Sequence, residues 1–285
     1  MGLFSELEKL GLANFKDAKV FANEENAKTT QKKEKKQKKE EMTERDYLIL
    51  REFNCPICEW KFKALTVKSG KARQIKRGID MRVFYEGIDP VKYDVISCPY
   101  CGYSAITSQF DKIIKAQKEF IMQQVSVNYM PDQEWEKLDE PYSYKKAITR
   151  FKMALICAVV KRAKASERAF ISLKLHWLLE SYMEEIDKNS EEYAKCSKDN
   201  EECMRNAYEG FKKAFSSENL PVYGLDDATM PYMISVLAYQ LGDYEEAKHT
   251  IGRVITSRTA NERIKNLARD LKDMIDEKID DQSTV

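Results

Sequence analysis

Apolar and polar positions are distributed differently in successive segments of the chain. Residues 1–22 carry apolar side chains near helical spacing, among them Leu3, Phe4 and Leu7, which predicts an amphipathic N-terminal peptide. Residues 23–45 contain almost no apolar side chains and are dominated by Lys, Glu and Gln. Such a segment buries too little surface to offset its ordering entropy, so we expect a lysine-rich flexible linker there.

The next segment, residues 46–104, has the pattern of short strands. Trp60 to Val67 and Tyr93 to Ser97 are rich in aromatic and β-branched residues, which predicts two strands that pair with one another. Between them, an inserted loop from about Lys68 to Pro90 is basic and contains aromatic residues. We therefore expect a small β module that carries a basic loop.

From residue 105 to 285, long patterns with helical spacing and few Gly or Pro predict an α-helical domain. An apolar stripe from Ile106 to Val125 predicts a helix that leaves the β module directly. Further helices are predicted at about residues 144–164 and 167–186, and a charged stretch at 187–201 is expected to interrupt the helical pattern. The last three helices are expected to begin near Asp226, Asp243 and Thr259.

The turn Leu241-Gly242-Asp243 resembles the one between the two helices of a tetratricopeptide repeat. Gly242 would end one helix and Asp243 would cap the next. Upstream helix pairs match the repeat poorly, so the pattern predicts a tetratricopeptide-like helical array with one recognisable repeat.

Two cysteine pairs, Cys55-Pro56-Ile57-Cys58 and Cys98-Pro99-Tyr100-Cys101, carry the strongest candidate chemistry. Each CPxC turn can aim backbone N–H groups at sulfur, and together the turns supply four thiolates for one tetrahedral zinc ion. The interval between the pairs is about twice the roughly 15 to 20 residues of a compact site, which the inserted loop explains. We predict a structural zinc ion, because four sulfurs leave no open coordination position. Redox-active dithiols are the alternative.

Composition and charge exclude several classes of protein. The 48 Lys and Arg residues nearly balance the 47 Asp and Glu residues, so no global charge indicates nucleic acid or membrane as a partner. The longest apolar run, Met153 to Val160, is too short to span a bilayer, and the N-terminus lacks a signal-peptide pattern. Seven cysteines in 285 residues do not make a disulfide scaffold. We expect a cytoplasmic protein.

Catalytic candidates are sparse. His176 and His249 lie on different predicted helices, and no glycine fingerprint for phosphate or dinucleotide binding is present. We therefore predict that the protein is not an enzyme and has no catalytic residue. Cys157 is interpreted as a core residue, whereas Cys196 and Cys203 have polar surroundings, and a second metal site there is the lesser alternative.

The inserted loop carries a local basic patch. The candidate nucleic-acid contacts are Lys71, Arg73, Lys76, Arg77 and Arg82. Aromatic side chains in the same region are available for base stacking. The alternative is that these cations only balance the negative charge of a zinc ion with four thiolates.

The two CPxC pairs, the segment Gly87 to Tyr93 and the Leu241-Gly242-Asp243 turn together resemble an uncharacterised bacterial family, domain of unknown function 2225. Further similarity lies around Leu175-His176-Trp177, so the resemblance covers roughly residues 50 to 280. It implies a bacterial, cytoplasmic protein with an N-terminal pair of metal knuckles and a repeat-like helical body. It implies no activity.

The hypothesis that these patterns favour is a non-enzymatic, zinc-binding interaction or scaffold protein whose helical surface binds a protein or peptide. The candidate residues of that surface are Tyr232, Tyr239 and Tyr244, with packing between helices as the alternative role. An RNA- or DNA-associated accessory factor that uses the basic loop is the alternative function. The N-terminal peptide is expected to dock on its own helical body or on another protein in preference to a membrane, because its polar face mixes acids with lysines.

Overall fold

Three antiparallel hairpins form the β part of the molecule. The computed structural model describes residues 42–131 and 138–283, so the predicted N-terminal peptide and most of the predicted linker lie outside the described residues. The strands are β1 Leu48–Asn54, β2 Lys61–Val67, β3 Gln74–Arg77, β4 Val83–Tyr85, β5 Val95–Ser97 and β6 Ser104–Ile106. β1 pairs with β2, β3 with β4 and β5 with β6.

The CPxC turns explain this pairing. Each turn reverses the chain, so the strands that flank one turn meet, with Asn54 opposite Lys61 and Ser97 opposite Ser104. The prediction that the strands near 60–67 and 93–97 pair with one another is therefore wrong. β1 had no clear strand signal because most of its side chains are exposed and its centre is charged.

The end of the predicted flexible linker is ordered. Glu44–Tyr47 form a 3-10 turn. The Glu44 carboxylate pairs with Lys92 Nζ at 2.7 Å and accepts a hydrogen bond from Tyr93 Oη at 2.9 Å. These distant partners, which the local composition does not reveal, hold Glu44 in place.

Seven α-helices follow within the described residues. They are α1 Lys115–Ile121, α2 Tyr144–Val160, α3 Ala165–Glu185, α4 Glu191–Ser217, α5 Thr229–Gln240, α6 Tyr244–Thr256 and α7 Glu262–Ser283. From α2 onward, consecutive helices pack against each other. The chain is therefore mainly α-helical with a small N-terminal β module, as predicted.

The helix predicted to begin at Ile106 begins later. Ile106 ends β6, and α1 starts at Lys115 and continues as a π-helical turn, Met122–Ser126. Phe110, which contributes to the apolar stripe, instead packs beside Tyr103 with ring centroids 5.1 Å apart. The stripe therefore combines residues of a strand, a loop and a helix.

The charged stretch at 187–201 does not interrupt the helical pattern as predicted, because α4 begins within it. Ser190 caps this helix by accepting a hydrogen bond from Tyr193 N at 3.1 Å. Only a narrow stripe of α4 is buried, including Cys203 and Phe211. The charged composition belongs to the long exposed face of one amphipathic helix.

The turn between α5 and α6 has the predicted chemistry. Gly242 adopts the left-handed conformation with a φ of 82°, and Asp243 Oδ1 accepts a hydrogen bond from Glu246 N at 3.3 Å. α5 is buried on nearly every side, which places it at the centre of the helical body.

Two buried apolar clusters organise the helical body and the cysteine turns. The larger one unites α2 to α7, and another surrounds the cysteine turns. The described residues from Thr43 onward form one compact unit. Among the described residues, no helix has the length and apolar character needed to cross a bilayer.

Candidate metal centre

The first knuckle, residues 55–60, is closed by backbone hydrogen bonds. Cys55 N donates to Trp60 O at 3.0 Å, and Glu59 N donates to Cys55 O at 2.9 Å. Glu59 adopts the left-handed conformation with a φ of 64°. Ile57 N lies 3.4 Å from Cys55 Sγ, so the turn presents an N–H group to the sulfur.

The second knuckle, residues 98–103, repeats these contacts. Cys98 N donates to Tyr103 O at 2.8 Å, and Gly102 N donates to Cys98 O at 3.1 Å. Gly102 occupies the left-handed position, with a φ of 74°. A Cβ atom at Gly102 would lie 2.5 Å from the ring of Tyr129, so glycine is needed for space as well as for conformation.

The knuckles bring four cysteine sulfurs together. Cys55 Sγ lies 3.6 Å from Cys101 Sγ, Cys58 Sγ lies 3.6 Å from Cys98 Sγ, and all four sulfurs are within 4.8 Å of one another. A disulfide bond would require about 2.05 Å. A tetrahedral ion with metal–sulfur distances of about 2.3 Å separates its sulfurs by about 3.8 Å. The donor set therefore fits a four-coordinate metal ion.

Electrostatics also favour a cation at this position. Hydrogen bonds from the Cys101 and Cys98 thiols lower the pKa of Cys55 to about 2. The hydrogen bond to Cys55 in turn raises the pKa of Cys101 well above its usual range. One thiolate is thus stabilised by thiols that must keep their protons, whereas a divalent cation stabilises all four thiolates.

Cys157 on α2 supports the second knuckle from behind. Ser104 N donates to Cys157 Sγ at 3.4 Å, and Gly102 O lies 3.9 Å from the same sulfur. Burial raises the pKa of Cys157 to about 11, which keeps it a thiol. Cys157 is therefore a core residue, as predicted. Cys196 and Cys203 are buried on α4 and belong to no candidate metal cluster in the described part of the chain.

The inserted loop contains the β3–β4 hairpin, and only part of its charge faces solvent. The exposed predicted contacts are Lys71, Arg73, Lys76 and Arg77. Arg82 is only 4% exposed; its Nη1 donates to Trp177 O at 2.6 Å and its Nη2 pairs with Asp89 at 2.9 Å. The prediction that Arg82 contacts nucleic acid is therefore corrected, because Arg82 binds the hairpin to α3.

The three tyrosines predicted to form a partner surface are in different environments. Tyr232 is fully buried and donates to Ile79 O at 2.8 Å, so its proposed place on a partner surface is corrected to a packing role. Tyr239 and Tyr244 are half-buried, with ring centroids 5.7 Å apart. Their contact joins α5 to α6.

An exposed aromatic pair beside the cysteines was not predicted as a pair. Trp60 is 64% exposed and Tyr100 is 46% exposed, and their ring centroids lie 5.5 Å apart. The signal in the sequence is that both residues are close to cysteines of different knuckles, which the four-sulfur site brings together. The pair forms an apolar surface directly beside the candidate metal centre.

Paired cysteine knuckles joined to a helical body define a mainly α protein with a zinc-ribbon-like module. The chain belongs to the bacterial family described as "Uncharacterized protein conserved in bacteria (DUF2225)", whose model matches residues 48–275. This match confirms the resemblance carried by the knuckle and turn motifs.

Comparison with a curated relative and with solved structures does not indicate an activity beyond the family assignment. An uncharacterised protein of Borreliella burgdorferi is 30% identical over 88 residues, which cover 28% of this chain and 32% of that protein. The match thus spans about a third of the length of this curated relative. No solved structure matches the chain.

Proposed function

We propose that the protein is a non-enzymatic, cytoplasmic interaction protein in which a zinc ion stabilises the knuckles and the helical body binds an amphipathic helix of a protein partner. The observation that carries this proposal is a groove of about 400 Å³ between α2, α3 and α4. Its lining includes Leu155, Val159, Arg168, Glu209, Gly210 and Lys213.

The groove combines an apolar wall with a close helix contact. Val159 is 54% exposed, and its neighbour Ile156 on the outer face of α2 is 52% exposed. A Cβ atom on Gly210 would lie 2.7 Å from Ala169 Cβ, so glycine allows α4 to approach α3 closely. Burying the exposed apolar surface of α2 would contribute about 25 cal/mol per Å².

The charge of the residues that line the groove indicates which kind of partner helix would bind there. Arg168 and Lys213 outnumber Glu209 among the charged residues that line the groove. An amphipathic helix with acidic side chains beside its apolar face complements both the shape and the charge of such a groove.

Site-specific photo-crosslinking in the native cell tests this assignment. A photoreactive amino acid at Val159 should capture a segment of the partner that is acidic and amphipathic. A synthetic peptide with the sequence of that segment should bind the protein. Val159→Asp should weaken peptide binding at least about tenfold, or by more than about 1.4 kcal/mol, because the acidic peptide would have to bury a carboxylate in place of an apolar side chain. The matched control is Ile75, an apolar residue on β3 that is 64% exposed; Ile75→Asp should leave binding unchanged.

Two results would contradict the proposal. Equal crosslinking at Val159 and Ile75 would show that exposure alone explains capture. Crosslinking of Val159 to residues 1–22 of the same chain would replace the external partner by the intramolecular docking expected of the N-terminal peptide.

A second candidate function, association with RNA or DNA, is favoured by the cations exposed on and before β3. All four residues of β3 are exposed, including Lys76 and Arg77. The exposed pair of Trp60 and Tyr100 offers rings for base stacking. This candidate predicts binding to single-stranded RNA that weakens steeply with added salt.

Charge reversal separates the two candidates. Replacing Arg73, Lys76 and Arg77 by Glu should abolish RNA retention, whereas Lys195→Glu with Lys198→Glu, at exposed positions on α4, should preserve it. Retention that survives reversal on β3 would exclude the hairpin as the nucleic-acid surface.

A further inference from the structure

The hairpin tip, residues 78–82, is buried against the helical body. Tyr232 donates to Ile79 O at 2.8 Å, and Asp80 is only 7% exposed. Met81 adopts the left-handed conformation with a φ of 64°, which is strained for a residue with a long side chain. The surrounding helices therefore hold the tip in a specific shape, and that shape buries a carboxylate.

Asp80 meets two residues of α3 that could share a ligand with it. Ligand atoms of Asp80, His176 and Glu180 all lie within 4.8 Å of one another, and His176 Nε2 is 3.6 Å from Glu180 Oε1. A tetrahedral ion with bonds of about 2.0 to 2.2 Å to nitrogen and oxygen separates its ligand atoms by about 3.4 Å. The three side chains are thus spaced for one shared cation, and the 3.6 Å contact is too long for a hydrogen bond.

Asn200 on α4 orients the His176 ring so that Nε2 faces the shared position. His176 is 1% exposed, and its Nδ1 lies 2.7 Å from Asn200 Oδ1. Because an amide oxygen only accepts hydrogen bonds, this contact requires the ring proton on Nδ1, and the neutral ring then presents the lone pair of Nε2. Nε2 is buried and has no hydrogen-bond partner among the described residues. Metal-ligating histidines usually donate their other ring N–H to an acceptor in this way.

The cluster brings two carboxylates together, those of Asp80 and Glu180. Arg82 is a cation near this cluster, but its Nη atoms donate to Trp177 O, Asp89 and Ser181. A divalent ion would stabilise both carboxylates at this position.

The loop also reserves space for the carboxylate. A Cβ atom on Gly78 would lie 2.4 Å from Asp80 Oδ1, so a larger residue at position 78 would displace the carboxylate. Arg82 N donates to the same oxygen at 3.2 Å and fixes its direction.

We propose that Asp80, His176 and Glu180 form a second metal site, which binds a divalent first-row transition-metal ion and fastens the hairpin tip to α3. One imidazole and two carboxylates suit Zn²⁺ or Mn²⁺, whereas four thiolates select Zn²⁺. The Glu180 side chain is 40% exposed, so the ion enters on that side and water completes its coordination.

Metal counting on the full-length protein tests the site. After equilibration with excess Zn²⁺ and removal of free ion, the wild type should hold two zinc ions per chain. The isosteric variants Asp80→Asn and Glu180→Gln should hold one. Asn200→Ala should keep the ligands but weaken the second ion about 10- to 100-fold. Glu184→Gln, an exposed position one turn further along α3, is the matched control and should hold two.

Two spectroscopic measurements keep the test independent of how the variants fold. X-ray absorption at the zinc edge of the saturated wild type should show nitrogen or oxygen neighbours together with sulfur. Mn²⁺ added to protein that holds one zinc ion should lose its free-ion resonance signal in proportion to protein.

Three results would overturn the proposal. The first is one zinc ion per chain with sulfur neighbours alone. The second is a second ion that both isosteric variants retain. The third is an unchanged signal of free Mn²⁺ when Mn²⁺ is added to wild-type protein that holds one zinc ion at the four thiolates. Each would show that Asp80, His176 and Glu180 do not hold a metal ion together.

Discussion

The two knuckles have the same backbone hydrogen bonds but very different surroundings. In the first, Trp60 is 64% exposed and Glu59 occupies the left-handed position. In the second, the equivalent residues are Tyr103, fully buried, and Gly102, which contacts Tyr129 too closely for any side chain. Local sequence is enough to form the turn, and the neighbouring elements decide which of its positions tolerate change.

The largest expected effect is common to both knuckles. Cys55→Ser with Cys58→Ser, and Cys98→Ser with Cys101→Ser, should each release the thiolate-bound ion. The binding free energy of structural zinc, about 10 to 16 kcal/mol in zinc-finger peptides, is folding free energy. Zinc analysis and circular dichroism measure the loss.

The comparison becomes sharper in the second pair. Because α2 packs on the second knuckle through Cys157, the variant Cys98→Ser with Cys101→Ser should also lower the melting temperature of the helical body. Cys203→Ala, on α4, is the control that should keep the ion. Full zinc retention in either double variant would refute the four-thiolate site.

A smaller effect should distinguish the left-handed positions. Gly102→Ala should lower the free energy of unfolding by at least about 2 kcal/mol, from left-handed strain of roughly 1 to 2 kcal/mol and displacement of Tyr129. Glu59→Ala already starts from a side chain in that conformation and should change stability by less than about 0.5 kcal/mol. Urea unfolding monitored by fluorescence measures both. Equal losses would mean that Tyr129 does not restrict the second knuckle.

The smallest effect concerns the aromatic residues that end each knuckle. Tyr103 donates to Phe110 O at 3.0 Å, so Tyr103→Phe should cost about 1 kcal/mol by leaving a buried carbonyl unpaired. Trp60→Phe should change stability by less than about 0.5 kcal/mol, because the ring is largely exposed. A larger loss at Trp60 would reverse the order of the two environments.

Features set by neighbouring residues were predictable from the sequence. The CPxC turns, the Gly242–Asp243 cap and the spacing of the later helices depend on local conformation and on helical periodicity. Arg82 and Tyr232 are buried because the hairpin tip meets the helical body at these residues. No local sequence pattern indicates where that contact forms. Asp80 was likewise indistinguishable from any loop carboxylate, since its neighbours on α3 lie far along the chain.

The hydrogen bond from Tyr232 to Ile79 joins residues separated by 153 positions. Contacts between such distant residues form late, because the chain between them must first be ordered. The hairpin tip therefore completes its structure only after α5 has taken its central place. During synthesis, the loop cannot make this contact until Tyr232 has been added to the chain. Protection of the loop from protease would therefore indicate that the helical body has folded.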